Sequence, residues 1–281
     1  MSVISCSLHN KNCGTAVFSI FADEIKNILI MSGHSKWSTI KRKKGAIDAK
    51  RGKMFTRLIK EITVAAREGG SEPETNPALR LAIQNAKGAN MPKDNIERAI
   101  KKASGDDAAK YEEMSFEGYA PGGIAVFVEC LSDNNNRTVA SVRSIFNKYG
   151  GNLGTHGSLS FLFDRKGIFV IKKNEDTDMD EFELELIDAG AEDIEADEET
   201  VTLTCALEDF GNLNKKLEEM GEEILSADLQ RIPNDNKDLD LESSRRVLRL
   251  IDALEEDEDI RSVFHNLEMT DELAEELEKE Q

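Results

Sequence analysis

Four consecutive cations, Lys41, Arg42, Lys43 and Lys44, are followed closely by Lys50, Arg51 and Lys53, and Trp37 stands just ahead of them. Ammonium and guanidinium groups at this density track phosphates, while an indole face stacks on a base or sugar. From Ser32 to Arg67 there are 11 Lys/Arg against 2 Asp/Glu, an excess of nine positive charges. The whole 281-residue chain carries −19, so the remainder carries −28. A basic island on a chain whose net charge repels polyanions marks where a polyanion would bind. The candidate phosphate contacts are Lys36, Lys41, Arg42, Lys43, Lys44, Lys50, Arg51, Lys53 and Arg57, with His34 and Trp37 adding local contacts. The competing roles are a solvated helix face for the cations and a hydrophobic anchor for Trp37.

Other chemistry is thinly represented. Cys6, Cys13, Cys130 and Cys205 lack the spacing of a zinc site, which fits a reduced cytoplasmic compartment. No metal or cofactor is expected. The glycine-rich string Gly150 to Gly154 follows a helix and precedes a strand, the reverse of a dinucleotide loop, so it reads as turn chemistry. Ser132 to Thr138 reads as a polar loop capping a helix; a catalytic cluster with Asp164 or His156 lacks a nucleophile paired with a base. The acidic run Glu255 to Asp259 reads as a solvated turn rather than a Mg²⁺ site. No run of about 18 apolar residues offers a membrane span. The stretch Thr15 to Ala22 is apolar but has no basic segment before it, so it makes a poor signal peptide or presequence.

Hydrophobic periodicity places these residues on elements. Phe55, Leu58, Ile59, Ile62, Ala65 and Ala66 recur at helical spacing over Lys53 to Glu68, with Arg57, Lys60, Glu61 and Arg67 turned away. Asn76-Pro77 starts a second helix carrying Leu79, Ala82, Ile83 and Ala86, and Pro92 starts a third carrying Ile96, Ala99, Ile100 and Ala103. No helix-turn-helix spacing is evident. Period-two patterning then gives a hairpin, Met114 to Ala120 and Ile124 to Leu131, a helix Asn136 to Tyr149, and a strand holding Leu159, Phe161 and Phe163. From Gly167 to Arg231 the order β-α-β-β-α-β is ferredoxin-like. A helix Glu242 to Glu255 and a strand Ile260 to Met269 would complete the unit left unfinished at Phe163. The expected fold is thus α+β and multidomain: an N-terminal three-helix domain followed by two α/β sandwich domains, the ferredoxin-like one inserted into the other. The boundaries are 31–110 for the basic helical domain, 111–165 plus 235–270 for the middle domain, 166–234 for the inserted one, and 271–281 for an acidic tail.

Several strings resemble a known family. The string from Met31 to Ile62, M-S-G-H-S-K-W-S-T-I-K-R-K-K-G-A-I-D-A-K-R-G-K-M-F-T-R-L-I-K-E-I, is similar to the opening of the YebC/PmpR family, which includes the mitochondrial translational activator of cytochrome c oxidase subunit I. Further matches run over Asn76 to Ile83, Asn90 to Ile100, Phe116 to Gly123, Cys130 to Thr138 and Leu248 to Ile260. The resemblance implies three domains and a non-enzymatic regulator of gene expression. Family members begin at the position of Met31, so residues 1–30 read as an atypical N-terminal extension or an early start codon. The leading expectation is a cytoplasmic DNA-binding transcriptional regulator. The second is a translation factor that contacts ribosomal RNA and assists elongation on the ribosome. A third, from another class, is a protein-interaction or ligand-sensing module built on the acidic domains. Nothing in the sequence sets an oligomeric state.

Overall fold

The computed structural model describes residues 48–103, 110–174, 179–197, 199–270 and 272–274. The expectations for the 1–30 extension, for Cys6 and Cys13, and for most of the acidic tail lie outside them. Helix α1 (Asp48–Gly69) buries Ile62, Ala65 and Ala66 against α2 (Pro77–Gly88) and α3 (Lys93–Ala103), which add Leu79, Ala82, Ala86, Ile96, Ala99 and Ala103 to one core. Asn76 organises the α1–α2 corner. Its Oδ1 accepts the Leu79 N–H at 3.0 Å, while its Nδ2 donates to Ala65 O at 2.7 Å and Gly70 O at 2.8 Å. One side chain thus caps one helix and satisfies carbonyls at the end of the other.

Strands β1 (Glu112–Ala120) and β2 (Ile124–Ser132) form the expected hairpin, closed by a 3-10 turn, Pro121–Gly123, in which Gly122 and Gly123 take φ of 77° and 74°. After α4 (Asn135–Lys148) come the short β3 (Asn152–Leu153), β4 (Phe163–Lys172), α5 (Met179–Asp188), β5 (Ala191–Ala196), β6 (Thr200–Ala206), α6 (Phe210–Met220) and β7 (Ile224–Pro233). The last elements are α7 (Leu241–Glu255) and β8 (Ile260–His265). Two four-stranded antiparallel sheets result, ordered β3-β1-β2-β8 and β5-β6-β4-β7. Strand β8, the last in sequence, pairs with β2 and not with the sheet that precedes it.

Alternate residues of β2 face two cores. Ile124, Val126, Val128 and Cys130 pack under α4 and α7, whereas Ala125 and Phe127 meet Leu159, Phe163 and Phe264 on the other side. On that second side Arg231 of β7 lies 3.9 Å from the Phe127 ring centroid and donates to Glu129 at 2.8 Å, tying the two sheets together.

Leu159, Phe161 and Phe163 do not share a strand: residues 154–162 form turns and irregular chain, and β4 starts only at Phe163, pairing in the second sheet. The buried Glu117 carboxylate accepts the N–H groups of Gly157 at 2.6 Å and Leu159 at 2.5 Å, so these amides are unavailable to a ladder. Leu159 is fully buried while Phe161 is 70% exposed, which breaks the alternation that the spacing implied.

Candidate nucleic-acid interface

The predicted contacts divide by position. His34, Lys36, Trp37 and Lys41 to Lys44 lie outside the described residues. Lys50 and Arg51 occupy the first turns of α1 by backbone. Lys53 and Arg57 are described in full, and both reach protein atoms. Lys53 Nζ donates to Glu256 O at 3.1 Å; an Arg57 Nη donates to Glu255 O and, at 3.4 Å, to Asp257 O. One turn on, Lys60 Nζ donates to Glu258 O at 2.7 Å and to Asp259 Oδ1 at 3.0 Å. The i, i+4 and i+7 spacing sets these three cations on one stripe of α1. That stripe faces the end of α7 and the turn before β8.

The acidic run is a turn with Glu256 and Glu258 exposed, as its composition implied, but its last member is buried. Asp259 is 5% exposed, and its carboxylate receives Lys60, Arg137 at 2.8 to 3.0 Å and the Thr138 hydroxyl at 3.1 Å. Burial works against its charge, but hydrogen bonds from Arg137 and Lys60 hold the carboxyl below its usual range. The polar loop ahead of α4 supplies the other half of this cluster. Asn134 caps α4 by accepting the Arg137 N–H at 3.1 Å, which places the Arg137 side chain beside Asp133 and Asp259. The Ser132 to Thr138 segment thus works as an electrostatic joint between α4, the 255–259 turn and α1.

A second seam joins α2 to β7. Asn85 Nδ2 donates to Ala227 O at 2.9 Å and to Asp228 Oδ1 at 3.1 Å, and Asn85 Oδ1 accepts the Ala227 N–H at 2.8 Å. Its amide substitutes for a neighbouring strand along the open edge of the second sheet. Between the seams Arg261 of β8 reaches Glu61 at 3.0 Å and Glu113 at 3.6 Å. Burial pushes the Glu61 and Asp228 carboxyls up against the pull of Arg261, and it pulls the Arg57 guanidinium down against Glu255 and Asp257. Neither seam was read from the sequence. A signal for Asn85 existed: an amide beside Ala86 and three positions after Ala82, on the apolar stripe of α2.

Among the described residues no group of three or more His, Cys, Asp or Glu side chains could hold a metal ion, and no helix is long and apolar enough to cross a membrane. Cys130 and Cys205 are buried thiols pushed up by burial to about 12 and about 11.

These features define a three-part architecture, a helical unit clamped by charged side chains and one amide onto two antiparallel α/β units. Residues 35–106 match the TACO1/YebC protein N-terminal domain, and residues 111–267 match the TACO1/YebC second and third domain. The chain belongs to the TACO1/YebC family. A relative from Halothermothrix orenii is 49% identical over 253 residues, covering 89% of this chain and 100% of its own length. One from Clostridium novyi is 49% identical over 243 residues, covering 86% and 99%. Both carry the name "probable transcriptional regulatory protein". The crystal structure of a conserved hypothetical protein from Aquifex aeolicus matches with a TM-score of 0.72 at 43% identity, over 80% of this chain and 93% of that one.

Proposed function

We propose that this chain is a non-enzymatic, nucleic-acid-binding regulator of gene expression that acts in the cytoplasm, in its leading form a DNA-binding transcriptional regulator. The basic segment from His34 to Arg51 grips phosphate. It is carried by a three-helix domain and two acidic α/β domains, the second inserted into the first, with boundaries near residues 110, 165 and 235. The observation that carries the reading is the excess of nine positive charges between Ser32 and Arg67 on a chain of −19. The division of labour within that island supports it: Lys53, Arg57 and Lys60 anchor α1 to the 255–259 turn, which leaves phosphate contact to the cations upstream. The relatives' names, which speak of transcriptional regulation, favour DNA as the target.

A specific observation favours RNA on the ribosome as the second reading. Helices α1 and α2 are both packed along one side against the α/β units, through the cationic stripe and through Asn85. A helix held in this way is badly placed to enter a major groove, whereas shape recognition of folded RNA needs no reading helix.

The test has two parts. Crosslinking in cells followed by sequencing of the bound nucleic acid is expected to return promoter DNA; a discrete ribosomal RNA site replaces the first reading with the second. In vitro, neutralising Lys41, Arg42, Lys43 and Lys44 to Gln is expected to flatten the log-log salt slope on duplex DNA by about 3.6, at roughly 0.9 per phosphate. Salt-insensitive behaviour of the unmodified protein with both DNA and ribosomes refutes nucleic-acid binding altogether.

A further inference from the structure

Helices α4 and α7 cover one face of the first sheet and turn their outer sides to solvent. Helix α4 reads NNRTVASVRSIFNK: three basic residues, several amides and no carboxylate, within a chain of net charge −19. Thr138, Val142 and Phe146 point into the core, so the opposite row, Asn136, Ala140, Arg143 and Asn147, is exposed, with Ser144 and Lys148 beside it. Helix α7 buries Ser244, Val247, Leu248, Leu250, Ile251 and Leu254, and exposes Glu242, Arg246 and Arg249. Arg246 is paired with Glu242 one turn away. Among the described residues, Arg143, Lys148 and Arg249 make no ion pair. Lys148 lies over the Tyr149 ring at 5.3 Å, which leaves its charge uncompensated by a carboxylate.

This plate has a defined relation to the start of α1. The start of α4 is held at Asp259 by Arg137, the end of α7 runs into Glu255 and Glu256, and Lys53 near the start of α1 donates to Glu256 O. The described first turns of α1 therefore lie at the same end of the body as the first turn of α4. From there α4 runs about 21 Å, at 1.5 Å per residue. Elsewhere the α/β surface is dominated by carboxylates, for example along α5, MDEFELELID. A polyanion entering at the basic segment meets attraction along α4 and repulsion along α5.

We propose that the outer face of α4 and α7, centred on Arg143, Lys148 and Arg249, is a second contact surface for the phosphate backbone of the nucleic acid gripped by the basic segment. The proposal rests on the nucleic-acid reading above and adds a continuous path across the middle unit. Positive charge without base-reading geometry makes the contact indifferent to sequence, so it sets affinity and orientation and leaves readout to other parts.

The test is the full-length triple variant R143Q/K148Q/R249Q, with R143K/R249K as the charge-preserving control, titrated over salt against duplex DNA and against single-stranded RNA. Loss of three phosphate contacts flattens the log-log slope by about 2.7 on duplex and about 2.1 on single strands. On duplex, the affinity deficit of the triple variant then shrinks about 40-fold between 50 and 200 mM salt. The lysine control is expected to retain the unmodified slope, because phosphate contact needs only the point charge. A flattened slope on one nucleic acid alone supports the surface and assigns its target. An unchanged slope on both, with binding still weakened by neutralising Lys41 to Lys44, overturns this proposal while the main reading stands. If the unmodified protein binds neither nucleic acid, both fall together.

Discussion

Gly88 offers the sharpest test of how the helical unit is held. A Cβ at this position would lie 1.9 Å from the Leu225 carbonyl oxygen and 2.6 Å from its carbon, both main-chain atoms of β7. Restoring ordinary contact near 3.4 Å requires the end of α2 to retreat by about 1.5 Å. Asn85 lies one turn earlier on the same helix and must move with it. Its bonds to Ala227, now 2.8 and 2.9 Å, would then exceed hydrogen-bonding distance and strand the buried N–H and C=O of that residue. Leaving such groups unmade costs roughly 1–3 kcal/mol each, less where water enters the opened seam. Against this, Gly→Ala inside a helix ordinarily stabilises by about 1 kcal/mol, and by less at the last position. The seam wins, so Gly88→Ala is expected to destabilise by about 1–4 kcal/mol, opposite in sign to the propensity effect. Urea unfolding reads the magnitude, and amide hydrogen exchange at Ala227 reads the location. A variant at least as stable as the parent, with the Ala227 amide equally protected, refutes the seam.

Four other outcomes follow from the cluster, the stripe and the thiols. Asp259→Ala leaves Lys60 facing carbonyls alone and is expected to cost roughly 2–4 kcal/mol by thermal or urea unfolding, with the half-exposed Arg137 contributing the smaller share. Because the Asp259 carboxyl is held low in the folded state, its contribution is complete above the ordinary range near pH 4 and disappears as pH falls through the depressed value; Asp259→Asn should remove that part of the acid dependence. Lys53→Gln with Arg57→Gln should lower stability while leaving the salt slope of nucleic-acid binding within about one phosphate of the parent. In a protein with Cys6 and Cys13 replaced by Ser, a thiol reagent at pH 8 should label neither Cys130 nor Cys205 until denaturant is added, since both are buried and titrate near 12 and 11.

Elements governed by local patterning are legible in the sequence. The glycine turn joining β1 to β2, the Asn76 and Asn134 caps and the apolar stripes of α2 and α7 all follow from side chains within a few residues of one another. The 154–162 segment departs from its pattern because a buried carboxylate from β1 takes its amides, and no local pattern announces a partner some 40 positions away. The same reason hides the seams. Lys53, Arg57 and Lys60 look like a solvated stripe until the 255–259 turn is brought against them, roughly 200 residues downstream. Of the candidate contacts, the sequence locates the cations, but only the folded chain distinguishes those that hold α1 in place.

That 200-residue separation bears on how the protein is made. The helical unit can gather its own small core as soon as residues 48–103 have been synthesised, yet the turn that receives the cationic stripe of α1 arrives with the last part of the chain. Strand β8 and the 255–259 turn appear together, so closing the first sheet and locking α1 become one late event. A product ending before residue 255 would hold its helical unit through the Asn85 seam on β7 alone. The two seams thus close in order of synthesis, Asn85 on β7 first and the cationic stripe of α1 on the 255–259 turn last.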